Sequence, residues 1–153
     1  MKKIFYLVFC AVLLSTLSSQ YTYAALGGGL DSISSDLQAL HANYRAKSVK
    51  DKYSVEIITA DAITVREYVS PSGIVFGIAW NGYVHPDLTQ LLGSYSGEFT
   101  SARQKAARKF GSRRLHLATG NIIVEKWGHM RDLRGRAYVP SMIPTEVTSD
   151  EIK

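Results

Sequence analysis

Histidine is the side chain best placed to move protons near neutral pH, and the chain has four: His41, His85, His116 and His129. His129 has the richest surroundings. Gly128 before it frees the backbone, and Arg131, Arg134 and Arg136 after it carry guanidinium forks that match a phosphate or carboxylate with paired hydrogen bonds. The competing use of these arginines is internal, since pairing with Glu67, Asp132 or backbone carbonyls would lock a sheet edge. Glu67 is the acid expected to meet one of them. His129, Arg131, Arg134, Arg136 and Glu67 therefore form the candidate set for holding a ligand or partner.

Catalytic constellations are weaker. His85-Pro86-Asp87 is the nearest approach to a metal-assisted pair, yet a histidine ahead of Pro with an Asp next also describes a helix start with a capping carboxylate. No two histidines or carboxylates have the spacing that sets paired ligands on one face, so neither a metal nor a cofactor is expected. Gly93-Ser94-Tyr95-Ser96-Gly97 resembles a hydrolase elbow, but the central residue is Tyr95, not a serine nucleophile. No catalytic residue is assigned. The alternative reading is a hydrolase using His129 as base, or His85 with Asp87 on a metal.

From Arg103 to Arg114 six basic residues occur without an acid. They read as a solvated loop or frayed helix. Phosphates of a nucleic acid would attract them, but no aromatic residues are interleaved to stack on bases. Anionic lipid or lipopolysaccharide head groups are the polyanions expected instead.

That choice rests on the first 24 residues. Lys2 and Lys3 precede an apolar run from Ile4 to Leu14, which gives way to Ser15, Thr16, Ser18, Ser19 and Gln20 too early to span a bilayer. This is the layout of a secretory signal peptide, with cleavage expected after Ala24, and it places the protein in the periplasm or outside the cell. The only cysteine, Cys10, leaves with it, so disulfides, thiolate metal sites and cysteine nucleophiles are excluded from residues 25–153. Loss of both lysines leaves 16 basic against 13 acidic residues, a net charge of +3 rather than +5.

The elements that must carry these side chains follow from periodicity. Leu30, Ile33, Leu37, Leu40 and Tyr44 predict a helix over 31–45, and Leu88, Leu91, Leu92, Tyr95 and Phe99 a second one after Pro86, interrupted near Gly93 or Gly97. Strands are predicted at 53–59, 63–69 and 74–81, the last two joined through Ser70-Pro71-Ser72-Gly73. That hairpin is expected to pair Tyr68 with Phe76 and Glu67 with Gly77, leaving Val75, Gly77 and Ala79 as a small-residue floor for a helix. A second hairpin turns at Gly120-Asn121 and sets His116 opposite Glu125. A last strand, 133–139, stops at Pro140. The expected fold is α+β: one domain over 25–153, an antiparallel sheet built from hairpins, with two helices packed on it.

Arg66-Glu67-Tyr68-Val69-Ser70-Pro71-Ser72-Gly73-Ile74-Val75-Phe76, with Ala79-Trp80, Pro86-Asp87-Leu88 and Leu91-Leu92-Gly93, resembles the bacterial exported family catalogued as domain of unknown function 2844. Gly128-His129-Met130-Arg131 and Gly135-Arg136-Ala137-Tyr138-Val139-Pro140 fit the same pattern. The resemblance implies kinship and export, but no activity. The function expected is a non-catalytic binding protein of the cell envelope, whose partner is another envelope protein or an anionic envelope component.

Overall fold

The computed structural model describes residues 26–29, 33, 40–106, 111 and 113–153. The expected leader lies outside them, as does most of the first expected helix; within that span Ile33 is helical and buried. Runs rich in β-branched and aromatic residues form most of the strands: β1 (Asn43–Val49), β2 (Ser54–Ala60), β3 (Ile63–Val69), β4 (Val75–Gly82), β5 (Leu115–Ala118), β6 (Ile123–His129) and β7 (Asp132–Tyr138). All neighbours pair antiparallel in the order β1-β2-β3-β4-β7-β6-β5. Residues 27–29 add a short strip against the start of β4, with Gly27 N–H donating to Val75 O at 2.7 Å and Val75 N–H to Gly28 O at 2.9 Å.

Asp87 caps the first helix, α1 (Leu88–Leu91), by accepting from Thr89 N–H at 2.9 Å. A 3-10 turn over Gly93–Tyr95 follows, with Gly93 at φ 49°, and α2 (Ser96–Lys105) completes the helical layer. The break near Gly93 is where the sequence puts it. Arg103 and Lys105 belong to the last turn of α2, not to a loop, where their charge suits the helix dipole. No helix among the described residues is long and apolar enough to cross a membrane.

Two expectations are corrected. Residues 43–45 are the start of β1, not the end of a helix. In the β3–β4 hairpin Val69 meets Val75 as expected, but Phe76 is then an extra residue in β4. From there each pair is displaced by one, to Tyr68 with Gly77, Glu67 with Ile78 and Val65 with Trp80. Because side chains alternate across a strand, this bulge moves every later residue of β4 to the other face.

One consequence is which face the helices cover. They pack on the bulky side, where Leu88, Leu91, Leu92 and Phe99 join Ile58, Val65, Ile78, Trp80 and Val124 in one buried cluster. The small residues Gly77 and Ala79 lie on the opposite face, and among the described residues no α-helix covers them. The segment from Pro140 to Lys153 does, with Ile152 fully buried among Tyr53, Val55, Tyr68, Phe76 and Tyr138. Gly77 makes room for it: a Cβ there would lie 2.8 Å from Ile152 Cδ1. This strap is fastened by polar contacts at its end. Tyr68 Oη donates to Lys153 O at 2.8 Å and accepts from Lys153 N–H at 2.9 Å, while Tyr53 Oη donates to Glu151 Oε2 at 2.8 Å.

Candidate functional site

The strap covers only part of its sheet face, and the uncovered part is where the polar side chains collect. Register sets them out in rows across the strands. His116, Glu125, Arg136, Ala79 and Arg66 occupy one row, and Trp127, Arg134, Asn81 and Thr64 the next. Where β5, β6 and the end of the strap meet, the face deepens into a groove of about 510 Å³ bordered by Arg114, His116, Trp127, Arg136 and Lys153. Leu115 and Lys126 also border it, but alternation sends their side chains to the helix-covered side.

Arg136 is the hub of this surface. It pairs with Glu125 through Nε, and its Nη1 donates to Ser149 O at 2.7 Å, which ties the sheet to the strap. Glu125 also meets His116 Nδ1 at 2.9 Å, the cross-strand contact that the second hairpin was expected to make. Burial pushes the Glu125 carboxyl up, but the hydrogen bonds of Arg136 and His116 outweigh it and hold the group below its ordinary value. Arg134 is exposed and pairs with Asp132 at 2.9 Å. That hydrogen bond first, and then the charges of Arg134 and His129, lower the Asp132 carboxyl. Arg66 differs from both, because its Nη1 donates to the neutral amide of Asn81 at 2.6 Å and no described carboxylate pairs with it.

The candidate set is only partly brought together. Arg134 and Arg136 stand on adjacent rows of one face. His129 ends β6 and Arg131 lies in the exposed two-residue turn that leads to β7, where it takes a left-handed φ of 69°. Glu67 is not with them: the bulge puts it opposite Ile78, on the helix-covered face, 1% exposed and directly across from the buried Glu56. Glu56 in turn accepts from Tyr44 Oη at 2.7 Å and faces Lys47 Nζ at 2.8 Å. His85 and Asp87 also separate, since Asp87 caps α1 while His85 Nδ1 accepts from Trp80 Nε1–H at 3.0 Å. Among the described residues no group of three His, Cys, Asp or Glu side chains stands close enough to hold a metal ion.

The sequence over residues 22–152 matches the family described as Protein of unknown function (DUF2844). The chain belongs to that family. No curated protein and no solved structure matches it. Its kinship is thereby fixed, and the chemistry has to come from the residues themselves.

Sequence reasoning about this DUF2844 chain missed Arg66, Asn81 and Trp127 as members of the polar face. A signal for Trp127 was present. Once His116 faces Glu125, extending β6 by two residues puts Trp127 on the same side, and folding 133–139 back onto β6 brings Arg134 and Arg136 beside it. Arg66 had no such signal, because its face depends on the bulge at Phe76.

Proposed function

We propose that this DUF2844 protein is an exported, non-catalytic binding protein of the cell envelope, and that the uncovered sheet face is its contact surface for anionic groups. The observation that carries the reading is the arrangement of three guanidinium groups, Arg66 on β3 and Arg134 and Arg136 on β7, on one rigid face, with no described carboxylate paired to Arg66. Arginines in adjacent rows offer several oriented donors to a phosphate or carboxylate, and Trp127 beside them gives an amphipathic surface that rests against an apolar body. The strands hold their spacing without loop rearrangement. An anionic envelope component, such as a lipid or lipopolysaccharide head group, meets these requirements, and export through the amino-terminal leader would put the face in its reach.

The test has two arms. The purified protein is sedimented with lipopolysaccharide or with anionic vesicles, and the wild type is compared with Arg66→Gln plus Arg134→Gln. Binding that weakens with salt and falls at least about tenfold in the double variant is expected, since each charge-assisted contact accounts for roughly that factor. Equal sedimentation of both proteins would refute the surface. For the address, amino-terminal sequencing of periplasmic protein should begin at Ala25. Recovery of the intact chain from the cytosol would refute export.

A further inference from the structure

The groove between β5, β6 and the end of the strap holds acceptors as well as donors. Its volume of about 510 Å³ falls among small-molecule clefts, which run from about 300 to 1,000 Å³, and one row of the sheet supplies most of its polar groups. Glu125 stands between His116 and Arg136 in that row, with Oε1 2.9 Å from His116 Nδ1 and Oε2 paired with Arg136 Nε. Each carboxylate oxygen keeps a second lone pair. Because Nδ1 faces a carboxylate it is the nitrogen that donates, which leaves Nε2 of the neutral His116 ring an acceptor. Arg136 contributes the donors: Nε and Nη1 are spent on Glu125 and Ser149 O, but among the described residues Nη2 has no hydrogen-bond partner. The side chains of Glu125 and Arg136 are only 22% and 18% exposed, so hydrogen bonds made here escape much of the competition from water.

Two ligand chemistries compete for this row. An oxyanion is chiefly an acceptor, so it would gain the guanidinium but meet the Glu125 carboxylate, which stays ionised: burial pushes that group up, yet the hydrogen bonds of Arg136 and His116 hold it below its ordinary value. A hydroxyl both donates and accepts, and two hydroxyls on neighbouring carbons can donate to Glu125 and accept from Arg136 at once. Neighbouring hydroxyls on a ring describe a sugar. Trp127, two residues after Glu125 on the same face and bordering the groove, adds the other element of such a site, because the negative face of an indole attracts the positively polarised C–H groups of a pyranose. Trp127 also stands directly across from Arg134, which puts a guanidinium beside the ring for an acidic substituent.

We propose that the groove binds a pyranose sugar carrying an acidic group, with neighbouring hydroxyls on Glu125 and Arg136, the ring against Trp127 and the acid on Arg134. The inference rests on the arginine face being the contact surface for anionic groups. The anion met there is then the phosphate or carboxylate of a saccharide, either free or part of a lipopolysaccharide.

The purified protein is titrated with glucose 6-phosphate at fixed ionic strength, and the backbone amides of β5 and β6 are followed by NMR. Saturable shifts at His116, Glu125 and Trp127 are expected, with half-saturation below about 20 mM, the range that a few charge-assisted hydrogen bonds give. Glucose should move the same amides with about tenfold weaker binding, and inorganic phosphate should leave them in place. Trp127→Leu should raise the half-saturation point about tenfold, while Trp127→Phe, which keeps an aromatic face, should recover most of the loss. Arg134→Gln should erase the advantage of glucose 6-phosphate over glucose. No saturable shift in the folded protein would overturn the sugar site, as would phosphate moving the same amides, or adenosine monophosphate binding more tightly than the sugar phosphate. Displacement of glucose 6-phosphate by lipopolysaccharide would mark the bound glycan as the source, and a sugar phosphate that lipopolysaccharide does not displace would mark a free sugar acid. Sedimentation that depends on Arg66 and Arg134 without any sugar titration would overturn the groove and spare the arginine face; a sugar titration with unchanged sedimentation would do the reverse.

Discussion

A methyl group added at Gly135 has nowhere to go. It would meet Trp80 Cζ2 at 2.2 Å and the backbone oxygen of Glu125 at 2.7 Å, so neither a rotamer change nor a small side-chain shift makes room. Gly135→Ala should therefore cost at least the roughly 1–3 kcal/mol typical of overpacked cores, read as a lower urea midpoint. Gly97→Ala is the matched control. It lies in the first turn of α2 with nothing within 4 Å of its Cβ, and should stabilise by about 0.5–1 kcal/mol by restricting the unfolded chain. Equal midpoints for the two variants would mean that the indole does not occupy the gap. At this scale the sequence reading was uneven. It found Arg134, Arg136 and the His116–Glu125 contact from charge and spacing, because those follow from alternation within regular hairpins. It misplaced Glu67 because one bulged residue reverses alternation, and the local sequence Val75-Phe76-Gly77 carries no mark that separates a bulge from a regular pair.

Among the elements, the strap is the one that the sequence reading left without a role. Small residues on a strand were expected to admit a helix; in the structure they admit Ile152, delivered by an irregular segment whose pairing depends on long-range contacts. Truncating it with Ile152→Ala should cost about 2–5 kcal/mol, as for other fully buried aliphatic side chains. If the strap detaches as a unit, amide exchange should accelerate over 140–153 and Tyr53 and Tyr68 should gain exposure before β2 and β3 exchange. Uniform acceleration through the whole sheet would instead make the strap part of the core folding unit. Strand β1 escaped notice for a different reason. Its sequence, Asn-Tyr-Arg-Ala-Lys-Ser-Val, lacks a buried apolar stripe, because it is an edge strand whose described side chains are all exposed. Such a strand is held by pairing with β2, which propensity along the chain does not register. The central strands, with one or both faces buried, were legible from their β-branched and aromatic content.

Across the whole molecule, the depressed carboxyl groups sit at joints between elements, which gives stability a predictable dependence on pH. Glu98 is lowered chiefly by the side-chain hydrogen bonds of Thr119 and Asn121, and so pins α2 to the turn between β5 and β6. Glu151 is lowered chiefly by the Tyr53 hydroxyl, at the strap. Glu125 and Asp132 hold the β6–β7 hairpin. A carboxyl whose folded pKa lies below its unfolded value contributes stability that is complete above the unfolded value, about 4, and is lost as pH falls through the folded one. His85 acts earlier in an acid titration. Its folded pKa is lowered, so below about 6.5 the unfolded chain binds the proton first and stability already declines. The urea midpoint should therefore fall in two stages on acidification, a shallow one beginning near pH 6.5 and a steep one below about pH 4. His85→Asn keeps an acceptor for the Trp80 N–H and cannot titrate, so it should remove the first stage and leave the second. A single transition below pH 4 in the wild type would mean that burial beside the Trp80 indole does not hold the His85 ring neutral.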